Sequence, residues 1–218
     1  MLENSPNLLG ILVAVGFVGL LPLAVVTMTG FLKISVVLFL IRNALGVQQM
    51  PPNLVLYGIA LVLTVYVTAP LLSDISGRLE EGQVQFQTTE DIARAADLVR
   101  EPLKQHLVRF TQPEERQFFL DGTSRLWPEE ARQNVRDDDL AILVPAFVAS
   151  ELTRAFEIGF LLYLPFLIVD IVVANILMTL GMIMVSPVLI SIPLKLFLFV
   201  AVDGWSRLMH GLILSYVP

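Results

Sequence analysis

Hydrophobic and polar positions in this chain fall into long blocks rather than alternating with the two-residue period of half-buried strands. Leu8–Thr29 is a run of 22 residues without a charge. At about 1.5 Å per residue it can cross the ~30 Å hydrocarbon core of a bilayer as a helix. Pro22 and Gly30 predict a kink and an end. Phe31–Leu45 stays apolar but carries Lys33 and Arg42, then stops at Gly46-Val47-Gln48-Gln49-Met50-Pro51-Pro52-Asn53. Two successive prolines cannot continue a helix, so this stretch predicts a short helix and a tight reversal. Leu54–Leu72 is a second uncharged run, of 19 residues, closing an N-terminal helical hairpin over 1–72.

From Ser73 to Leu140 the pattern changes. Ile92, Ala95, Ala96, Leu98 and Val99 interleave with charges, which predicts a helix over Glu90–Phe110 behind the acidic start Thr88-Thr89-Glu90-Asp91. Pro102 should bend or restart it. Pro113-Glu114-Glu115-Arg116 and Trp127-Pro128-Glu129-Glu130 each place a proline and acids where a helix begins. The segment reads as a small polar helical domain with solvated charges.

The third block, Leu140–Met178, is 39 mostly apolar residues, too long for one perpendicular span. Pro145, Gly159 and Pro165 are its expected bending points. Val185–Val202 is the last apolar segment, interrupted by Pro187, Pro193 and Lys195. No fixed-period repeat is present. The pattern predicts an all-α polytopic membrane protein, with kinked apolar hairpins at 1–72 and 141–218 flanking a polar domain at 73–140.

Composition agrees: 56% of the residues are hydrophobic, 16% are charged, and the mean hydropathy is +0.75. Charge is unevenly placed. Residues 73–140 hold 15 Asp/Glu against 9 Lys/Arg, and the remainder holds five of each sign, so the whole net charge of −6 belongs to the central segment. An acidic segment is a poor partner for nucleic acid or anionic headgroups. Lacking cysteine, the chain has no disulfide or thiolate metal site. His106 and His210 read as surface histidines without neighbouring metal ligands. Phosphate-loop, zinc-protease and serine-hydrolase signatures are missing, so neither catalysis nor a cofactor is expected.

Five charges interrupt the C-terminal apolar block: Glu151, Arg154, Glu157, Asp170 and Lys195. An ionisable group in hydrocarbon costs roughly 2.5–3.5 kcal/mol on insertion scales, so it normally faces a partner or a wet path. Glu151, Arg154 and Glu157 share one broad side of a helix. Lys195, alone on its segment, calls for an acid from another helix, Glu151 or Asp170. Two readings stand: an ion-pair network that fixes helix or subunit register, and a proton or ion relay. Met178, Met182 and Met184 cluster about Gly181, either as apolar filler or as a deformable constriction.

For orientation, Lys33 and Arg42 make the first elbow the basic connection between the first two spans. The positive-inside rule then places it in the cytoplasm and 73–140 outside. Met1-Leu2-Glu3-Asn4 lacks the basic start of a secretory signal, and the first apolar run reads as a retained helix.

Several stretches of the chain are distinctive as motifs and not only as composition. One is the elbow Ile41-Arg42-Asn43-Ala44-Leu45-Gly46-Val47-Gln48-Gln49-Met50-Pro51-Pro52-Asn53. A second runs from Pro145-Ala146-Phe147 through Ser150-Glu151-Leu152-Thr153-Arg154-Ala155-Phe156-Glu157-Ile158-Gly159-Phe160, Leu164-Pro165-Phe166 and Asp170. It continues through Leu180-Gly181-Met182-Ile183-Met184-Val185-Ser186-Pro187 and Pro193-Leu194-Lys195 to Val202-Asp203-Gly204-Trp205. These stretches closely resemble the FliP/YscR/SctR family of type III secretion export-apparatus proteins. The ending through Leu212 and the N-terminus are more similar to the injectisome branch than to the flagellar one. The resemblance covers both hairpins, roughly two-thirds of the chain, and the acidic insert matches more loosely.

The resemblance implies a multi-pass inner-membrane subunit, repeated about five times around an export channel for unfolded, secreted proteins, in a virulence setting. Smaller subunits of the SctS and SctT types are the implied partners, and the assembled cone stands largely above the bilayer, so apolar segments can bury against neighbours as well as lipid. It also implies a methionine gasket that closes the resting pore, at Met182, Ile183 and Met184, shaped by Gly181 and Pro187. The family often has three methionines there. Ile183 is β-branched and stiffer, which makes the seal less compliant. Two rivals are a proton-coupled transporter using Glu151, Glu157 and Asp170, and a purely structural scaffold.

Overall fold

The computed structural model describes residues 16, 19–20, 22–47, 49–84, 89–132 and 135–217, and every regular element among them is helical. The expected Leu8–Thr29 helix lies mostly outside the described residues. Its described end is α1, Pro22–Met28, followed by a break at Thr29 and Gly30. The remaining helices are α2 (Phe31–Ala44), α3 (Asn53–Glu81), α4 (Thr89–Phe110), α5 (Pro113–Leu126), α6 (Glu129–Arg132), α7 (Leu140–Thr179), α8 (Pro187–Ala201) and α9 (Gly204–Leu214). Among the described residues α3 and α7 are long and apolar enough to cross a membrane, and up to four spans result if each of two broken pairs counts as one.

Three prolines lie inside helices without ending them. Pro145 and Pro165 do not divide α7, which runs unbroken through 40 residues, about 60 Å at the helical rise. Pro102 likewise lies inside an uninterrupted α4. A proline removes one hydrogen bond and crowds one carbonyl, costing about 3 kcal/mol. The favourable helix formers on both sides and the packed faces of Ala146, Phe147 and Leu107 outweigh that cost. The change of composition at Ser73 is not a helix end either. α3 continues to Glu81 past Pro70, and its polar extension carries an Asp74–Arg78 pair at 3.0 Å with the i, i+4 spacing that helices favour.

The chain divides into two compact units. The first contains Met1–Gly30 and Thr68–Glu151; the second contains Phe31–Val67 and Leu152–Pro218. Within the first unit α5 begins with Pro113 at its first turn, followed by Glu114 and Glu115, as the sequence predicts. The Gln112 N–H just before that helix donates to Ser150 Oγ at 2.9 Å. Lys104 reaches Asp138 and Asp139 at 3.3 and 3.6 Å, and Arg116 reaches Asp137 at 3.4 Å. Part-exposed pairs of this kind contribute about 0–1 kcal/mol each, so they orient the acidic 137–139 turn more than they stabilise it.

His106 departs from the surface position expected of it. Its ring packs on Phe110 and Phe147 at centroid distances of 5.1 and 6.4 Å. Burial, with the Arg109 charge adding to it, lowers its pKa from 6.5 to about 4. The folded chain therefore refuses a proton that the unfolded chain accepts. This contribution is whole above pH 6.5 and is lost as the pH falls toward 4, a change of up to roughly 3 kcal/mol. Thermal unfolding of the full chain should fall more steeply over that interval than unfolding of a His106→Leu variant; parallel curves would contradict the assignment.

Candidate functional site

Within the second unit, the end of α7 and the start of α8 hold a seven-residue elbow, 180–186, between them. Gly181 has φ +72°, a left-handed conformation that L side chains avoid. The Gly181 N–H donates to Met178 O at 3.0 Å and the Met182 N–H to Leu177 O at 2.9 Å. These two bonds occupy carbonyls that a helix end leaves orphaned, and they stop α7 sharply. Pro187 at the first turn of α8 then needs no N–H partner and sets the next helix going. Conformation alone requires glycine at 181, because a Cβ there would meet nothing within 4 Å. Gly181→Ala should therefore lose about 1 kcal/mol of stability, and Gly181→Asn less, since asparagine tolerates this region. Equal melting temperatures for the two variants would contradict that cause.

The elbow presents its apolar residues outward. Met182 is 44% exposed, Ile183 85% and Met184 101%. None of the three packs into this chain's own core. Met178, one turn before the elbow, is exposed as well.

Lys195 occupies the opposite kind of site. It projects from α8, only 5% exposed. Its Nζ lies 2.6 Å from Asp170 Oδ2 on α7 and 3.0 Å from the Ala44 carbonyl, the last residue of α2. One ammonium thus joins three helices. It neutralises an acid, satisfies a carbonyl of a helix C-terminus, and sits where the α2 dipole favours a cation. Of the two acids that the sequence offered Lys195, Asp170 is the one beside it.

Glu151 is buried in the first unit, while Arg154, half-buried, and Glu157, exposed, belong to the second. Close packing of α2 on α7 needs Gly159, where a Cβ would run into the Leu40 side chain.

Two basic residues have structural roles that the hydropathy reading passed over. Arg42 Nη1 contacts Asn53 Oδ1 at 2.5 Å and the Pro51 carbonyl at 3.3 Å, clamping the first elbow across its two prolines. Lys33 is fully buried, its Nζ 3.4 Å from the centre of the Tyr216 ring, a cation–π contact that grows stronger as water is excluded. An arginine and an asparagine bracketing Pro-Pro could have signalled the first. Nothing local in the sequence links residues 33 and 216. The described residues contain no group of three or more His, Asp or Glu placed to hold a metal ion.

A sequence profile of the FliP family matches residues 14–212. The chain is 56% identical to the probable translocation protein y4yL of Sinorhizobium fredii, over 99% of this chain and 97% of that protein. It is 46% identical to the Yop proteins translocation protein R of Yersinia pestis, covering 97% of each. With the virulence protein YscR of Salmonella typhimurium it shares 42% identity over 99% of each chain. Full-length similarity of this degree, on an all-helical chain with long apolar helices, is decisive: the chain belongs to the FliP family of type III secretion export-apparatus proteins and is a membrane subunit of a secretion machine.

Proposed function

We propose that about five copies of this chain, with SctS- and SctT-type subunits, form a channel that passes unfolded protein substrates across the bacterial inner membrane. In this reading Met182, Ile183 and Met184 of the several copies meet at the axis and close it at rest. The carrying observation is the elbow itself: three consecutive apolar side chains, exposed on a turn that Gly181 and Pro187 hold between two helices. A soluble surface gains nothing from such a cluster, whereas a ring of unbranched thioethers can fill an irregular aperture and yield to a passing chain. The apolar regions 1–72 and 141–218 build the gate, and the acidic region 73–140 faces the periplasm.

The embedded charges hold register in this scheme. Lys195 is satisfied by Asp170 and a carbonyl, which favours a structural pair over a relay, since a relay needs a carboxylate free to take up a proton. Mass measurement of the purified chain, with and without the other export-apparatus membrane subunits, tests the assembly. A ring of about five copies is expected in the complete preparation; a monomer active in transport by itself would overturn the proposal.

A further inference from the structure

The second unit contains an apolar cavity of about 460 Å³, within the roughly 300–1,000 Å³ range of small-ligand sites. Its walls include Ile41 of α2, Leu162 and Phe166 of α7, Phe199 of α8, and Leu208 and Leu212 of α9. The polar side chains on the lining are Arg207 and Ser215. α8 and α9, which both line the cavity, meet at a 63° bend, where Asp203 takes a left-handed φ of +54°. Gly204 permits that closeness, because a Cβ there would strike the Phe199 ring.

Arg207 stands apart from the other basic residues outside 73–140. Lys195 has Asp170, Arg42 has Asn53, Lys33 has the Tyr216 ring, and Arg154 is also engaged. Arg207 is exposed, and its guanidinium makes no hydrogen bond, ion pair or ring contact among the described residues. Asp203 lies one turn before it, yet the two are joined only through the backbone, by the Arg207 N–H to the Asp203 carbonyl at 3.1 Å. A guanidinium at the edge of an apolar cavity in a membrane subunit calls for an anion attached to something apolar.

We propose that this cavity binds one anionic glycerophospholipid, with an acyl chain between α7, α8 and α9 and the headgroup phosphate on Arg207. Arginine suits the role because its planar fork pairs with phosphate through two hydrogen bonds. The site does not depend on the channel reading, since a lipid held here would fix the α8–α9 bend in any membrane assembly.

Native mass spectrometry of the full chain in detergent, given phosphatidylglycerol or phosphatidylcholine, tests it. The wild type should keep one phosphatidylglycerol per chain and prefer it to phosphatidylcholine. Arg207→Gln should lower that preference by about five-fold, and Arg207→Lys should keep most of it. Gly211→Phe should abolish retention of both lipids: Gly211 lines the cavity and a Cβ there meets nothing within 4 Å, so the side chain starts in open space and its ring fills the cavity. Should the phenylalanine variant fail to fold, the arginine series decides alone. Equal retention of the two lipids by the wild type would overturn the proposal, as would an unchanged preference in Arg207→Gln. A photo-crosslinker at Leu208 that captures a helix of another subunit in the assembled complex would also overturn it, by making the cavity a protein joint.

Discussion

Lys195→Ala is expected to be the most damaging single substitution in the second unit. It leaves Asp170, whose side chain is 35% exposed, without its cation, and the Ala44 carbonyl without its donor. Breaking a buried pair by removing one partner costs about 3–5 kcal/mol. Partial exposure of Asp170 lets water recover some of that, so the low end, about 3 kcal/mol, is the expectation. The consequence should be poor assembly and little secretion. Exchanging the charges, Lys195→Asp with Asp170→Lys, should rescue only in part, because the carboxylate then faces the Ala44 carbonyl. A Lys195→Met, Asp170→Asn double variant should recover more, since no buried charge is left unpaired. Assembly and secretion at wild-type levels in the single alanine variant would remove the pair from the account.

Alanine at both Met182 and Met184 should act on closure instead of folding. Both side chains are exposed in the single chain, and surface substitutions usually change stability by no more than about 0.5 kcal/mol. The complex should therefore assemble normally while resting membranes become leaky to ions and small solutes. Tryptophan at the same positions should have the opposite effect, slowing export without a leak, because a rigid ring yields less to a passing chain. Planar-bilayer conductance of the assembled complex separates the two. Unchanged resting conductance in an assembled double-alanine complex would return these methionines to simple packing.

Element type was legible in the sequence where composition alone decides it. The uncharged run Leu54–Leu72, the Pro-Pro elbow, and the Pro113 and Pro128 starts all correspond to helices or breaks, because hydrocarbon length and a missing N–H are local constraints. Pro102, Pro145 and Pro165 interrupt no helix, because packing along a long helix overrides a local penalty. The end of α3 was placed too early because a change from apolar to charged residues marks a change of surroundings, and a helix can pass through it. α9 is short and cut from α8 by Val202 and Asp203, so the hydropathy pattern does not mark it as a separate helix.

The candidate site was legible to different depths. Gly181 and Pro187 marked the elbow directly. The two acids offered to Lys195 included the observed one, but the second partner, the Ala44 carbonyl, is a backbone group 151 residues away and leaves no trace in side-chain chemistry. Lys33 on Tyr216 was invisible for the same reason of distance. Histidine 106 misled because its environment is supplied by Phe147 from another helix.

The central claim is that exporting substrate passes this elbow. Its most direct test places a photo-reactive amino acid at Ile183 in the assembled apparatus, with a substrate stalled in transit, and a control probe at the similarly exposed Phe197 of α8. The account predicts crosslinks to substrate from position 183 and few or none from position 197. Substrate captured equally at both positions, or only at 197, would contradict it.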